Sequence, residues 1–303
     1  MTRQENKASA ESGLIVAAHG RHYAVELAHG ELLHCFPRGK KSGYACGDKV
    51  DIERAGDNQG VIRVAQPRTS LLYRSDRYRQ KIIAANITLA IIVVAGHPAF
   101  DENLLMRCLI ACEQQGVKAI VVLNKADLKD VTARTAAQLA LYNELGYPVE
   151  PLCAKLDVSP LRRHLRNQRS VVVGQSGMGK STIINALIPE ALARTAEISE
   201  ALDSGKHTTT NTQLYHLDSE SSIIDSPGLQ TFGLMHVSLP ELVTCFREFG
   251  PFLGDCRFDN CSHTVEPECA VIAAVEGKEI DARRWNAYRE LASELKAKPP
   301  TWA

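Results

Sequence analysis

The order of two motifs constrains this chain more than any other feature of its sequence. "KAIVVLNKAD" is an apolar run ending in Asn124-Lys125-Ala126-Asp127, an N-K-x-D pattern. "SVVVGQSGMGKST" is a second apolar run that enters Gly174 to Ser181, a G-x-x-x-x-G-K-[ST] pattern. The second has the chemistry of a phosphate loop. Its glycines let successive N–H groups turn inward around a β-phosphate, Lys180 can reach the β and γ oxygens, and the Ser181 hydroxyl suits Mg²⁺. A strand before it and the helix "STIINAL" after it set the phosphates at a helix N-terminus. The first has the chemistry of a guanine reader. The Asp127 carboxylate accepts from N1–H and the exocyclic amine of guanine, a pairing adenine does not offer, while Asn124 braces the loop and the Lys125 stem covers the ring. Phosphate loops normally precede base readers; here the phosphate loop follows about fifty residues later.

A sheet keeps its strands in place when the chain is cut at one surface site and rejoined at another. Opening the usual order just before "TLAIIVVA" and joining the old ends through "SPLRRHLRNQ" reproduces the observed sequence of parts. These are the base reader, a guanine-supporting loop at Cys153 to Lys155, the phosphate loop, a switch loop and a D-x-x-G motif. From about residue 88, apolar runs alternate with helical periodicity in "ENLLMRCLIACEQQG" and "DVTARTAAQLALYNELG". That alternation predicts a parallel, doubly wound sheet with its ligand at the carboxyl ends of the strands. The nucleotide contacts expected are Asn124, Lys125 and Asp127, the loop residues Gly174, Gln175, Ser176, Gly177, Met178, Gly179, Lys180, Ser181 and Thr182, and Gly228.

"DSPG", Asp225 to Gly228, supplies the D-x-x-G: Asp225 would act on magnesium through water, and the Gly228 amide would sense the γ-phosphate. In "GKHTTT" a hydroxyl of Thr208, Thr209 or Thr210 would complete magnesium coordination when GTP is present, with Thr209, the middle of the three, favoured. Leu229 stands where many GTPases carry a water-orienting Gln, and Gln230 is one residue too late. Slow intrinsic turnover is therefore expected, with His207 the internal candidate for positioning or deprotonating water. A solvated loop histidine is the plainer alternative. Gly177 occupies the position at which potassium-dependent GTPases hold an Asn, which counts against that mechanism.

Both flanks read differently from the centre. Residues 13–66 show short alternating segments punctuated by Gly, Asp, Asn and Pro, the pattern of a small all-β barrel. Near it lie the basic residues Arg38, Lys40 and Lys41, then Arg68, Arg74, Arg77, Arg79 and Lys81 with Tyr73 and Tyr78 interleaved, which suit either nucleic-acid contact or a solvated linker. Beyond Gly228 the pattern is helical, with Ser238 as an N-cap and a long helix expected from about Ala270 through "DARRWNAYRELASELK". "CRFDNCSHTVEPEC" gathers Cys256, Cys261, His263 and Cys269, three thiolates and an imidazole fit for a closed, structural Zn²⁺ site. The other six of the nine cysteines, Cys35, Cys46, Cys108, Cys112, Cys153 and Cys245, read as core filling in a reducing compartment. The 35 basic and 35 acidic residues cancel, so any grip on nucleic acid must be local. No membrane span or secretory signal is apparent, and a cytoplasmic monomer is expected.

The permuted order, "GQSGMGKST", "HTTT", "DSPG" and the Cys/His cluster together resemble the bacterial ribosome small-subunit-dependent GTPase family, called RsgA or YjeQ. The resemblance covers nearly the whole chain; Met178 and Lys206 are mild departures from it. It implies an OB-type barrel at 13–70 behind a disordered tail at 1–12, a circularly permuted P-loop GTPase at 71–230 and a helical zinc-binding domain at 231–303. It further implies a GTP hydrolase that binds the small ribosomal subunit and its rRNA, is stimulated by it and acts late in its maturation. The resemblance also supports His207. Two other readings are an RNA-binding adaptor whose hydrolysis is incidental and a signalling GTPase with a protein partner.

Overall fold

The computed structural model describes residues 11–39, 43–76, 80–191 and 212–297. Five strands open the chain: β1 (Glu11–His19), β2 (His22–Leu27), β3 (Leu32–Pro37), β4 (Lys49–Arg54) and β5 (Gln59–Ala65). They pair in the order β1-β2-β3-β5-β4, and β4 returns to β1, so the sheet closes into a barrel with no free edge among them. Residues alternate inward and outward, and Ile15, Val25, Leu33, Ile52 and Ile62 fill the interior. The tail expected over 1–12 needs correction at its end, because Glu11 and Ser12 pair with Ile52 and Asp51; residues 1–10 lie outside the described set.

The hairpin β6 (Leu71–Ser75) and β7 (Gln80–Ala85) leads into the central sheet. That sheet contains β8 (Leu89–Ala95), β9 (Lys118–Asn124), β10 (Val149–Pro151), β11 (Arg169–Val173), β12 (Thr212–His216) and β13 (Ser222–Asp225), in the order β10-β9-β8-β11-β13-β12. All neighbours are parallel except β12, which runs antiparallel to β13. The inner strands β8, β9 and β11 are near-continuous aliphatic runs because both their faces are covered, whereas the flanking β10 and β12 mix in polar residues. Ala90, Ile92 and Val94 join a core with α1 (Glu102–Gln114) and α2 (Lys129–Glu144), whereas Leu89, Ile91 and Val93 face α3 (Ser159–Leu165) and α4 (Lys180–Leu187). The segment expected to rejoin the old ends contains α3, anchored by the buried Leu161 and Leu165.

One junction was not anticipated. β12 pairs through Thr212 and Gln213 with Ala18 and Ala17 of β1, so barrel and central sheet form one eleven-stranded sheet. His216 contacts Glu26 at 2.6 Å across the same seam.

The C-terminal region has α5 (Leu239–Thr244), a 3-10 turn at Arg247–Phe252, α6 (Ala270–Glu276) and α7 (Ala282–Lys296). Ser238 caps α5 as expected, in a reciprocal box with Glu241. The long helix expected from Ala270 is two helices. Lys278 turns left-handed at φ 62°, the N–H groups of Glu279 and Ile280 return to the Ala274 carbonyl, and Asp281 caps the second helix. Ile280 is buried by that break, which apolar periodicity alone does not reveal. The rings of Phe246, Phe249 and Tyr288 pack 5.0–5.3 Å apart and centre this small core. No described helix is long and apolar enough to cross a membrane.

Candidate functional site

Parallel strands bring their carboxyl ends to one edge, and the expected site residues sit there. Ala95 is in register with Asn124, Val173 with Ile92 and Val172 with Asp225. The loops after β9, β10, β11 and β13 therefore meet, although the chain visits them in permuted order.

Asn124 holds three of these loops together. Its side chain is 2 % exposed, donates from Nδ2 to the Met178 carbonyl at 2.9 Å and accepts at Oδ1 from the Ala154 N–H at 3.1 Å. One amide thus ties the N-K-x-D loop to the Gly174–Ser181 loop and to the Cys153–Lys155 loop. Gly179 is required beside it: a Cβ there would lie 2.3 Å from Asn124 Nδ2, and its φ of 93° is left-handed. Lys125 reaches further than its sequence suggests. With φ 63°, it donates from Nζ to the carbonyls of His97 and Gly177 at 2.8 and 2.7 Å, drawing the loop after β8 into the site. No sequence pattern had marked His97.

Asp127 is solvent-exposed at the open end. The Cys153 thiol donates to its carboxylate and is the main reason its pKa is lowered. Cys153, read as core filling, is instead half-buried in the loop after β10; the other five of those cysteines are buried as expected.

Lys180, at the first turn of α4, is 8 % exposed and donates to the Gln175 carbonyl at 2.7 Å. Burial lowers its pKa and the nearby Asp225 opposes the shift; burial raises the Asp225 pKa and Lys180 opposes it in turn. This is a desolvated cation beside a carboxylate, positioned to gain from an anion and a divalent metal. Met178 is buried, Ser176, Gly177 and Ser181 are exposed, and Gln175, Gly179 and Thr182 are intermediate. The Gln175 side chain accepts from the Asp101 N–H at the start of α1.

The D-x-x-G segment is latched to the same loop. Ser226 donates to the Val172 carbonyl at 2.6 Å and the Leu229 N–H to the Gly174 carbonyl at 3.0 Å. A Cβ on Gly228 would lie 3.3 Å from the Ser176 backbone and the Lys180 ammonium, so any larger residue there would push the phosphate loop outward by a few tenths of an ångström. Leu229 is buried in the core, and Gln230 is exposed in a cleft it lines with Asp101, Arg107 and Phe232. His207 and Thr209 lie outside the described residues.

The Cys/His cluster is assembled by tight turns. His263 and Glu268 have left-handed φ of 56° and 55°. The Glu266 carboxylate accepts from the N–H groups of Ser262, Thr264 and Val265, while Trp285 and Tyr288 of α7 donate to the carbonyls of His263 and Ser262. The ligand atoms lie within 4.8 Å of one another. A tetrahedral zinc with Zn–S of about 2.3 Å and Zn–N of about 2.0–2.1 Å sets S···S edges near 3.8 Å and S···N edges near 3.5 Å. The cluster has Cys256–Cys269 at 3.8 Å and His263 Nδ1 at 3.4 and 3.5 Å from those sulfurs. Donor chemistry and spacing both fit such an ion.

The basic segment after the barrel splits. Arg68 is committed internally, donating to the fully buried Asp48 and to the Gly43 carbonyl. Arg74 donates to Thr231, and the Tyr73 ring lies 4.0 Å from His236. All three side chains make intramolecular contacts. Arg38 and Lys81 are exposed; Lys40, Lys41, Arg77, Tyr78 and Arg79 lie outside the described residues.

Comparison with known proteins agrees with this architecture. The sequence profile of the RsgA GTPase family matches residues 65–235. A relative from Nitrosospira multiformis named small ribosomal subunit biogenesis GTPase RsgA is 51 % identical over 283 residues, covering 93 % of this chain and 90 % of the relative. One of the same name from Nitrosomonas europaea is 48 % identical over 292 residues, covering 95 % and 93 %. The crystal structure of YjeQ from Thermotoga maritima superposes with a TM-score of 0.73 at 28 % identity, over 96 % of this chain and all of that one. That of YloQ, described as a circularly permuted GTPase, gives 0.69 at 26 %, over 99 % of this chain and all of that one. This chain belongs to the RsgA GTPase family.

Proposed function

We propose that this chain is a GTP hydrolase of small ribosomal subunit biogenesis, binding the subunit in its GTP form, hydrolysing GTP when stimulated by it and then leaving. It works in the cytoplasm as a monomer. The observation that carries this reading is the Asn124 bridge from the base-reading loop to the phosphate loop, in a chain whose relatives are named for small-subunit biogenesis.

Guanine would lie against the Lys125 stem with its Watson–Crick edge on Asp127. A triphosphate would take the Lys180 ammonium away from the Gln175 carbonyl and meet the amides of Ser176 to Thr182 and of Gly228. The chemistry of the set suits Mg²⁺ held by the Ser181 hydroxyl, Asp225 through water and Thr209, and that ion would neutralise developing phosphate charge. The Cys256, Cys261, His263 and Cys269 set would hold one structural Zn²⁺, with every ligand position filled by protein.

Water activation falls to His207 or to the partner, since Leu229 is apolar and turned inward. Binding, not chemistry, is therefore the strength of the isolated protein. GTP turnover measured with and without purified small subunits tests the proposal. Stimulation of at least tenfold is expected, and its loss in His207→Ala with GTP binding kept would place that side chain in the chemistry. An unchanged wild-type rate removes the ribosomal reading.

A further inference from the structure

One polar side chain of β12 is buried without a partner. Gln213 is 5 % exposed, and its Nε2 makes no hydrogen bond among the described residues. An orphaned buried donor costs stability that an apolar residue of the same shape would not, so a strand that continues with the buried Leu214 and Tyr215 has a physical reason to exclude it.

Its place in the sheet shows what it can serve. β12 and β13 are antiparallel, and Gln213 stands directly opposite Asp225. Residues opposed in this way put their side chains on one face of a sheet, with Cβ atoms about 4.5–5.5 Å apart. The neighbouring pairs identify the face. Leu214 and Ile224 join the core that contains α1, whereas Tyr215 and Ile223 join the core that contains α3 and α4. Alternation along each strand then turns Gln213 and Asp225 to the α4 side, where Lys180 and the phosphate loop lie. Asp225 is half-buried there, near the Lys180 ammonium, and its carboxylate accepts the Ser226 N–H.

An amide donor without an acceptor therefore stands beside the carboxylate assigned to magnesium. The chain connectivity adds to this. The segment carrying Thr209 runs into β12, and β13 ends in Asp225, so a bond from Gln213 to Asp225 would join the two segments whose side chains meet the ion. A neutral donor can hold that carboxylate without cancelling the charge on which the ion depends.

We propose that Gln213 is a positioning residue for magnesium: with nucleotide and ion bound, its N–H donates to the Asp225 carboxylate and fixes the oxygen turned towards the ion's water. Without them the amide stays unpaired, so its cost is offset only on binding. This deepens the magnesium assignment made above and rests on it.

The test measures the affinity of the full-length, zinc-loaded protein for a non-hydrolysable GTP analogue in magnesium and in EDTA. The ratio of the two dissociation constants is the magnesium factor. A hydrogen bond to a charged group is worth ~10–150-fold in binding. Gln213→Met keeps the length and removes the donor. It should lower the magnesium factor ~10-fold or more, keep the affinity in EDTA within about twofold, and leave the Tm of the nucleotide-free protein unchanged or higher. Asp225→Asn should lower the factor too, and adding Gln213→Met to it should lower it no further. A magnesium factor within about twofold of wild type in Gln213→Met, or additive losses in the double variant, overturns the proposal. So does a lower nucleotide-free Tm in both Gln213→Met and Gln213→Leu, because the amide would then already serve the resting fold. Wild-type binding that ignores magnesium overturns the magnesium assignment itself, whereas a magnesium-dependent wild type with an indifferent Gln213→Met overturns this inference alone.

Discussion

Replacing Asn124 by Ala removes the side chain that joins three loops, and the structure sets the size of the effect. Two hydrogen bonds disappear, from Nδ2 to the Met178 carbonyl and from the Ala154 N–H to Oδ1. Each is worth ~0.5–1.5 kcal/mol net, and each abandoned partner costs ~1–3 kcal/mol if it stays dry. The open pocket lets water reach part of this gap, so about 2 kcal/mol is the conservative sum for loop order, or ~30-fold in affinity. Isothermal titration of GDP, with Tm recorded for the same preparation, reads it directly. Asn124→Asp sharpens the test, since one oxygen can still accept from Ala154 while the other faces the Met178 carbonyl without a proton. Both variants should weaken GDP by ~30-fold or more. A GDP affinity within twofold of wild type in Asn124→Ala, with the protein folded, would refute the claim that this amide organises the pocket.

Further outcomes follow from other sites. Leu229→Gln should not raise turnover, because the position is buried; it should cost ~1–3 kcal/mol in denaturant unfolding through an unsatisfied amide. Elemental analysis should find one zinc per chain in wild type and less in Cys269→Ser, with a lower Tm and GDP affinity changed less than twofold. Burial pushes the Cys35, Cys112 and Cys245 thiols up to about 12, while unfolded thiols ionise near 8.5. The folded state therefore keeps protons that the unfolded chain releases, and this stability, complete below about pH 8.5, is lost as pH rises towards 12. The loss is ~1.4 kcal/mol per pH unit for each thiol, and Cys112→Ala should flatten the slope by that amount.

The central sheet was legible because its signals are local and redundant. "KAIVVLN" is β9 to the residue, and the motifs sit where parallel strands must place their ends. The Ser238 cap was equally plain, since Ser and Glu at that spacing satisfy each other's backbone. What failed to show depends on partners far along the chain. Arg68 looks like any surface cation until Asp48 is found buried beneath it, and Tyr73 looks like a stacking residue until His236 covers it. Nothing local in β12 announces that its far edge pairs with β1 of the barrel. Cys153 resembled its apolar neighbours in composition, and only the approach of the Asp127 loop gives its thiol a carboxylate to serve. Alternation along β3 revealed the strand but not that its outer rings would touch His22 of β2.

Whether a reordered chain has rebuilt a guanine pocket can be asked with three diphosphates and one substitution. The Asp127 carboxylate should make the wild-type protein bind GDP far more tightly than ADP or xanthosine diphosphate. Asp127→Asn offers an N–H donor to the second carbonyl of xanthine, so its preference should pass to xanthosine diphosphate while the phosphate loop still binds. If that variant keeps the wild-type order of affinities, Asp127 does not read the base and the convergence of the two motifs on one ligand is wrong.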